Sequence, residues 1–154
     1  MATMLHEVFA FKLATVIKER YESLAEIQVE TRPFINKITP AGGRLHFKEN
    51  GKKFKHVPDI MFYHQDAVWP GVVIEVSYSQ RRKSLVNLAD DYLLASDGGI
   101  RLMVGMDLEY RKSKKASIST WRLKILPGDD GQPEGDGQPE DEVIRESSRS
   151  LTMR

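Results

Sequence analysis

Two acidic residues set into apolar, β-branched stretches constrain this chain more than any other feature. Asp59 stands in His56-Val57-Pro58-Asp59-Ile60-Met61-Phe62, and Glu75 stands in Gly71-Val72-Val73-Ile74-Glu75-Val76-Ser77-Tyr78-Ser79-Gln80. Each stretch otherwise reads as a buried strand. Alternation along a strand puts Val73, Glu75 and Ser77 on one face and Val72, Ile74, Val76 and Tyr78 on the other. A carboxylate in such a strand is costly to bury unless something pairs with it or a metal binds it. Two acids on adjacent strands cost more, because like charges side by side resist joint ionisation. A hard divalent cation that takes oxygen ligands, such as Mg²⁺, removes that difficulty. The competing structural account pairs Glu75 with a Lys or Arg and leaves Asp59 to shape a turn after Pro58. The two acids together, at this spacing and ahead of a helix, favour a site.

The pattern around them is that of an α/β body. Leu5, Phe9, Leu13, Val16, Ile17, Tyr21 and Leu24 recur at helical spacing and predict an amphipathic helix over 3–24. Glu7, Glu19, Glu22 and Glu26 lie on or near it and read as a solvated face. Residues 27–31 alternate and could begin a strand or a loop, and Thr39-Pro40-Ala41-Gly42-Gly43 supplies turn chemistry. A strand over 44–48 should pair antiparallel with one over 54–62, because Asn50-Gly51 between them is a strong hairpin signal. Trp69-Pro70-Gly71 turns the chain into the Glu75 strand. A second helix over 80–96 carries the stripe Leu85, Leu88, Ala89, Tyr92 and Leu93, and Asp97-Gly98-Gly99 closes it. A central strand over 100–106 completes a right-handed parallel crossover, and a last strand spans 117–126. The predicted order is α-β-β-β-α-β-β, with a mixed central sheet flanked by helices.

The net charge of +1 hides an asymmetry. Residues 128–154 carry three basic against eight acidic residues, hence −5, while residues 1–127 carry 20 basic against 14 acidic, hence +6. Asp130-Gly131-Gln132-Pro133-Glu134-Gly135 is nearly repeated by Asp136-Gly137-Gln138-Pro139-Glu140-Asp141. Such a repeat buries no apolar surface, so the expectation is one domain over 1–127 and a disordered acidic tail over 128–154, at most with a transient helix near 143–151. A basic body suits a polyanionic partner, with the tail either competing for the same surface or only aiding solubility. With no Cys there is no disulfide framework, thiolate nucleophile or thiolate zinc site. The four His lack a zinc spacing, and no Gly-x-Ser-x-Gly supports serine hydrolase chemistry. No apolar run approaches a membrane span and no secretory signal is evident, so an intracellular location, cytoplasmic or nuclear, is expected.

Pro58-Asp59, followed about fifteen residues later by Ile74-Glu75-Val76 at the end of an apolar strand, resembles the PD-(D/E)XK nuclease superfamily. Glu75-Val76-Ser77-Tyr78-Ser79-Gln80 ahead of a helix is similar to its restriction-endonuclease-like branches. In element order the resemblance covers roughly residues 1 to 110. It implies a restriction-endonuclease-like core, Mg²⁺-dependent (or Mn²⁺-dependent) phosphodiester hydrolysis, and Asp59, Glu75 and the Val76 carbonyl as metal ligands. The family pattern has Lys two residues after the Glu, where this chain has Ser77.

A cation near the scissile phosphate ordinarily assists such chemistry. With Ser77 unable to supply it, Gln80 and Lys83 at the start of the second helix are the candidate catalytic replacements. Three functions therefore stand open. The first is a metal-dependent nuclease acting on nucleic acid, with DNA the expected partner. The second is a nuclease-like domain that binds nucleic acid or a protein without cleavage, and the third is an α/β scaffold unconnected to nucleic acid. The basic groups Lys48/Lys52/Lys53/Lys55, Arg81/Arg82/Lys83 and Arg111/Lys112/Lys114/Lys115 are candidate phosphate contacts.

Overall fold

The computed structural model describes residues 4–49, 51–78, 82–109, 115–125 and 141–152. Helix α1 spans Met4–Ile27, a 3-10 turn Val29–Thr31 follows, and α2 is the single turn Arg32–Ile35. The strands are β1 (Ile38–Ala41), β2 (Leu45–Glu49), β3 (Lys52–His56), β4 (Ile60–His64) and β5 (Val72–Tyr78). Then come α3 (Arg82–Leu94), β6 (Leu102–Glu109), β7 (Lys115–Ile125) and β8 (Asp141–Thr152). Six strands form one mixed sheet in the order β1-β4-β5-β6-β7-β8, and β2 and β3 form a separate two-stranded sheet. Only β5 and β6 run parallel, as the crossover through α3 requires. No described helix is long and apolar enough to cross a membrane.

Strand alternation decides what each helix covers. Ile60, Phe62 and Ile74 point to one face, where Ala10, Leu13, Ala14 and Ile17 of α1 pack on them. Met61, Val73 and Met103 point to the other, where they meet Leu85, Ala89, Tyr92 and Leu93 of α3. This second cluster is the larger core; Ala89, Tyr92, Leu93, Val73, Ile100 and Met103 have no exposed surface. The hairpin β2–β3 closes it from the side, with Leu45 and Phe47 buried and Phe47 stacked 5.1 Å from the Trp69 ring. Trp69 thus packs against the core.

Gly105 makes the close packing possible. A Cβ at this position would lie 2.8 Å from the Trp121 ring and 3.1 Å from Leu85. Gly105→Ala should therefore lower stability by about 1–3 kcal/mol, the usual cost of overpacking. Urea denaturation measures it, and a neutral result would mean that Trp121 can shift. At the end of α3, Asp97 (φ 50°) and Gly98 (φ 68°) take the left-handed conformation, and the Gly98 N–H reaches back to the Leu93 carbonyl at 3.1 Å.

The architecture departs from the expected order in four places. The single strand over 54–62 is two strands that belong to different sheets. Pro58 supplies no N–H for a ladder, so the chain breaks at Val57-Pro58-Asp59 and β4 leaves the hairpin to pair with β5. Residues 38–41, read as turn chemistry, form β1, and Pro40 is tolerated because β1 lies on the sheet edge. Residues 27–31, left open between strand and loop, hold the last residue of α1 and the 3-10 turn, and α2 follows directly. The last departure is in the tail, where residues 141–152 form β8 antiparallel to β7 rather than a disordered segment or a transient helix. β7 otherwise exposes a long unpaired edge, and Val143, Ile144 and the hydroxyl residues from Ser147 to Thr152 suit an extended partner. The Gly-Gln-Pro-Glu repeat and the basic turn 111–114 lie outside the described residues.

Candidate functional site

The break at Pro58 is what builds the site. β4 begins at Ile60, opposite Ile74, so the antiparallel ladder ends before it reaches Val76. The Val76 N–H would be left without a strand partner. The Asp59 carboxylate takes it, with Oδ2 accepting from Val76 N at 2.7 Å. Asp59 is thereby fixed against β5 in a partly exposed position, with 18 % of its side chain exposed. The expectation that it only shapes a turn fails on this bond.

Glu75 projects to the α3 face, as alternation predicts, and its partner comes from that helix. The Tyr92 hydroxyl donates to Glu75 Oε1 at 2.6 Å. Among the residues whose side chains are described, which do not include Arg82 and Lys83, no Lys or Arg pairs with Glu75. Its burial favours the neutral form of the carboxyl. Burial, with the neighbouring Asp59 charge adding to it, pushes its pKa from 4.5 to about 8 against the opposing effect of the Tyr92 bond. Burial and the Glu75 charge likewise push the Tyr92 hydroxyl up, so it stays a donor.

A third side chain joins from α1. His6 Nε2 lies 3.2 Å from Asp59 Oδ2 and 3.2 Å from the Val76 carbonyl oxygen. It bridges the two oxygens that the sequence assigns to a metal, one a carboxylate and one a backbone carbonyl. Sequence reasoning missed His6 because it looked for acids on the first helix. Glu7, Glu19, Glu22 and Glu26 are all exposed. The available signal was spacing: His6 shares one helical face with Ala10, Leu13 and Ile17, which pack on the sheet.

The predicted metal ligands Asp59, Glu75 and Val76 thus meet at the junction of β4 and β5. Gln80 lies outside the described residues. Lys83 lies in the first turn of α3, and its side chain is not described. Among the described residues, no group of three or more His, Cys, Asp or Glu is gathered closely enough to hold a metal ion. An ion here would rest on two carboxylates and a backbone carbonyl, a set of oxygens that suits Mg²⁺ or Mn²⁺. A groove of about 370 Å³ between α1 and the β1 edge, lined by Phe11, Ala14, Lys18, Ala41 and Asp59 among others, leads to the carboxylate.

Ser77 sits on the same face as Glu75 and opposite Asp107 of β6. Ser77 is 9 % exposed, and its Oγ has no hydrogen-bond partner. Asp107, 4 % exposed, is a buried acid that sequence reasoning did not single out. It lies one residue beyond the expected end of the central strand at Met106, whereas β6 runs on to Glu109.

Comparison of the chain with protein-family models, with curated proteins and with solved structures finds no match.

Proposed function

We propose that the protein is a metal-dependent nuclease with a restriction-endonuclease-like core of the PD-(D/E)XK type, hydrolysing phosphodiester bonds in nucleic acid. The observation that carries this reading is the meeting of Asp59, Glu75 and the Val76 carbonyl, with the pKa of Glu75 pushed up to about 8 by burial and by the Asp59 charge. A bound Mg²⁺ or Mn²⁺ would neutralise both carboxylates, polarise the phosphate and acidify a water. The chain's own residues prepare the oxygens. Val76 N–H orients Asp59, Tyr92 orients Glu75, and the His6 Nε2–H is placed to donate to Asp59 Oδ2 and to the Val76 carbonyl. Gln80 and Lys83, which follow β5 in the chain, would be the groups to contact water or the scissile phosphate.

One observation favours the second reading, binding without cleavage. Position 77 offers a buried hydroxyl with no partner where the family pattern has an ammonium, so the site carries no cation of its own there.

Titration with Mn²⁺, followed by the loss of the free-ion EPR signal, tests the site directly. The parent should bind, and Asp59→Ala should weaken binding by about a hundredfold or more. Asp59→Ala binding that matches the parent would remove the metal site and the nuclease reading with it.

A further inference from the structure

The hairpin β2–β3 stands apart from the main sheet, and its two faces differ in chemistry. Inward, Leu45 and Phe47 are buried, Phe54 stacks on Phe47 at 5.2 Å, and His56 bonds Asp91 of α3 at 2.8 Å. Outward, His46, Lys48, Lys53 and Lys55 are all exposed, and Arg44 just before β2 is exposed as well. The register sets Lys48 opposite Lys53 and His46 opposite Lys55. Like charges directly opposite one another destabilise a ribbon. Among the described residues, no carboxylate forms an ion pair with Arg44, Lys48, Lys53 or Lys55. A hairpin that only closed the core would gain from a Glu at either position of the Lys48–Lys53 pair. The inner face already fastens it to α3 and the core, so the outer face is free to serve something else.

We infer that this outer face is a docking surface for duplex DNA, with the two-stranded ribbon entering the major groove and its lysines on the flanking phosphates. The inference rests on the nuclease reading and names the form of its substrate. The major groove of B-form DNA, about 12 Å wide, admits a two-stranded ribbon. The deep, narrow major groove of A-form RNA does not. Single strands are held chiefly by stacking on aromatic side chains, and the outer face presents no Phe, Tyr or Trp. The position is apt, because β3 ends three residues before Asp59. A ribbon seated in the groove brings the neighbouring backbone to the carboxylates.

The test is fluorescence anisotropy with a short labelled duplex in EDTA, where neither metal binding nor cleavage enters. A failure of the metal site therefore leaves this result unaffected. Lys48→Glu and Lys53→Glu should each weaken duplex binding by about tenfold or more and lower the salt slope by about one ion. Each converts an opposed like-charge pair into an attractive one, so the melting temperature should hold or rise while affinity falls. Lys12→Glu, the same charge change on α1, should leave the dissociation constant within about twofold of the parent. Two results would overturn the inference. One is parental affinity in both ribbon variants; the other is a parent that binds duplex RNA or single-stranded DNA as tightly as duplex DNA.

Discussion

Glu75→Gln is expected to stabilise the metal-free protein, by an amount that grows as the pH rises from about 4.5 to about 8. In the unfolded chain Glu75 titrates at its ordinary value of 4.5, whereas in the folded protein it keeps its proton up to about 8. Folding therefore takes up a proton between those limits. The stability present below pH 4.5 is lost as the pH climbs through that window and levels off above it. Each pH unit costs about 1.4 kcal/mol, so the difference reaches several kcal/mol at the upper end. The amide of Gln fills the same space, can accept from Tyr92 and never ionises beside Asp59. Chemical denaturation in EDTA at several pH values measures the effect as a divergence of the two stability curves. A Gln variant less stable than the parent at every pH would mean that Glu75 is ionised and held by a cation. Added Mn²⁺ should reverse the ordering above pH 8, because only the parent gains a ligand.

What was legible in the sequence follows the range of the signals involved. The Glu75 face and the crossover through α3 come from alternation and helical spacing, which act within one element. The juxtaposition of Asp59 with Val76 was foreseen in outline, since both segments read as neighbouring buried strands. Its cause was not, because the capture of an orphaned Val76 N–H depends on where β4 stops pairing with β5. Tyr92 was visible only as one member of an apolar stripe. Its hydroxyl acquires a role when α3 is laid across the sheet above Glu75. His6 is similar, being a polar residue on a packed face whose partners lie 53 and 70 positions away. The split of the 54–62 segment was within reach, since Pro58 cannot serve a continuous ladder. β8 was not, because composition from residue 128 onward suggested a single disordered tail. Pairing with the edge of β7 is a long-range reward that composition does not register.

Ser77→Lys is expected to raise Mg²⁺-dependent cleavage of duplex DNA by about a hundredfold over the parent. A cation placed at a developing negative charge contributes on the order of 3 kcal/mol. The position is suited to the change. Ser77 lies on the same strand face as Glu75 and beside the buried Asp107 in the parallel register. The serine hydroxyl forms no hydrogen bond that the substitution would break. The new ammonium would lie on the same face as the acidic side chains of Glu75 and Asp107, and its own charge would favour ionisation of Glu75, which offsets part of its burial cost. Plasmid nicking in Mg²⁺ and in Mn²⁺ gives the rate, and circular dichroism together with Mn²⁺ titration establishes that the variant folds and holds its ion. Adding Asp59→Ala in the same background should return the rate to zero, which excludes a contaminating nuclease. In the parent, any basal cleavage should fall when Lys83 becomes Ala, since that residue is the nearest lysine to position 77 along the chain. A Ser77→Lys protein that folds, binds Mn²⁺ and duplex DNA, and stays as inert as an inert parent would exclude the enzyme. What would then remain is a nuclease-like domain that grips DNA at a degenerate metal site.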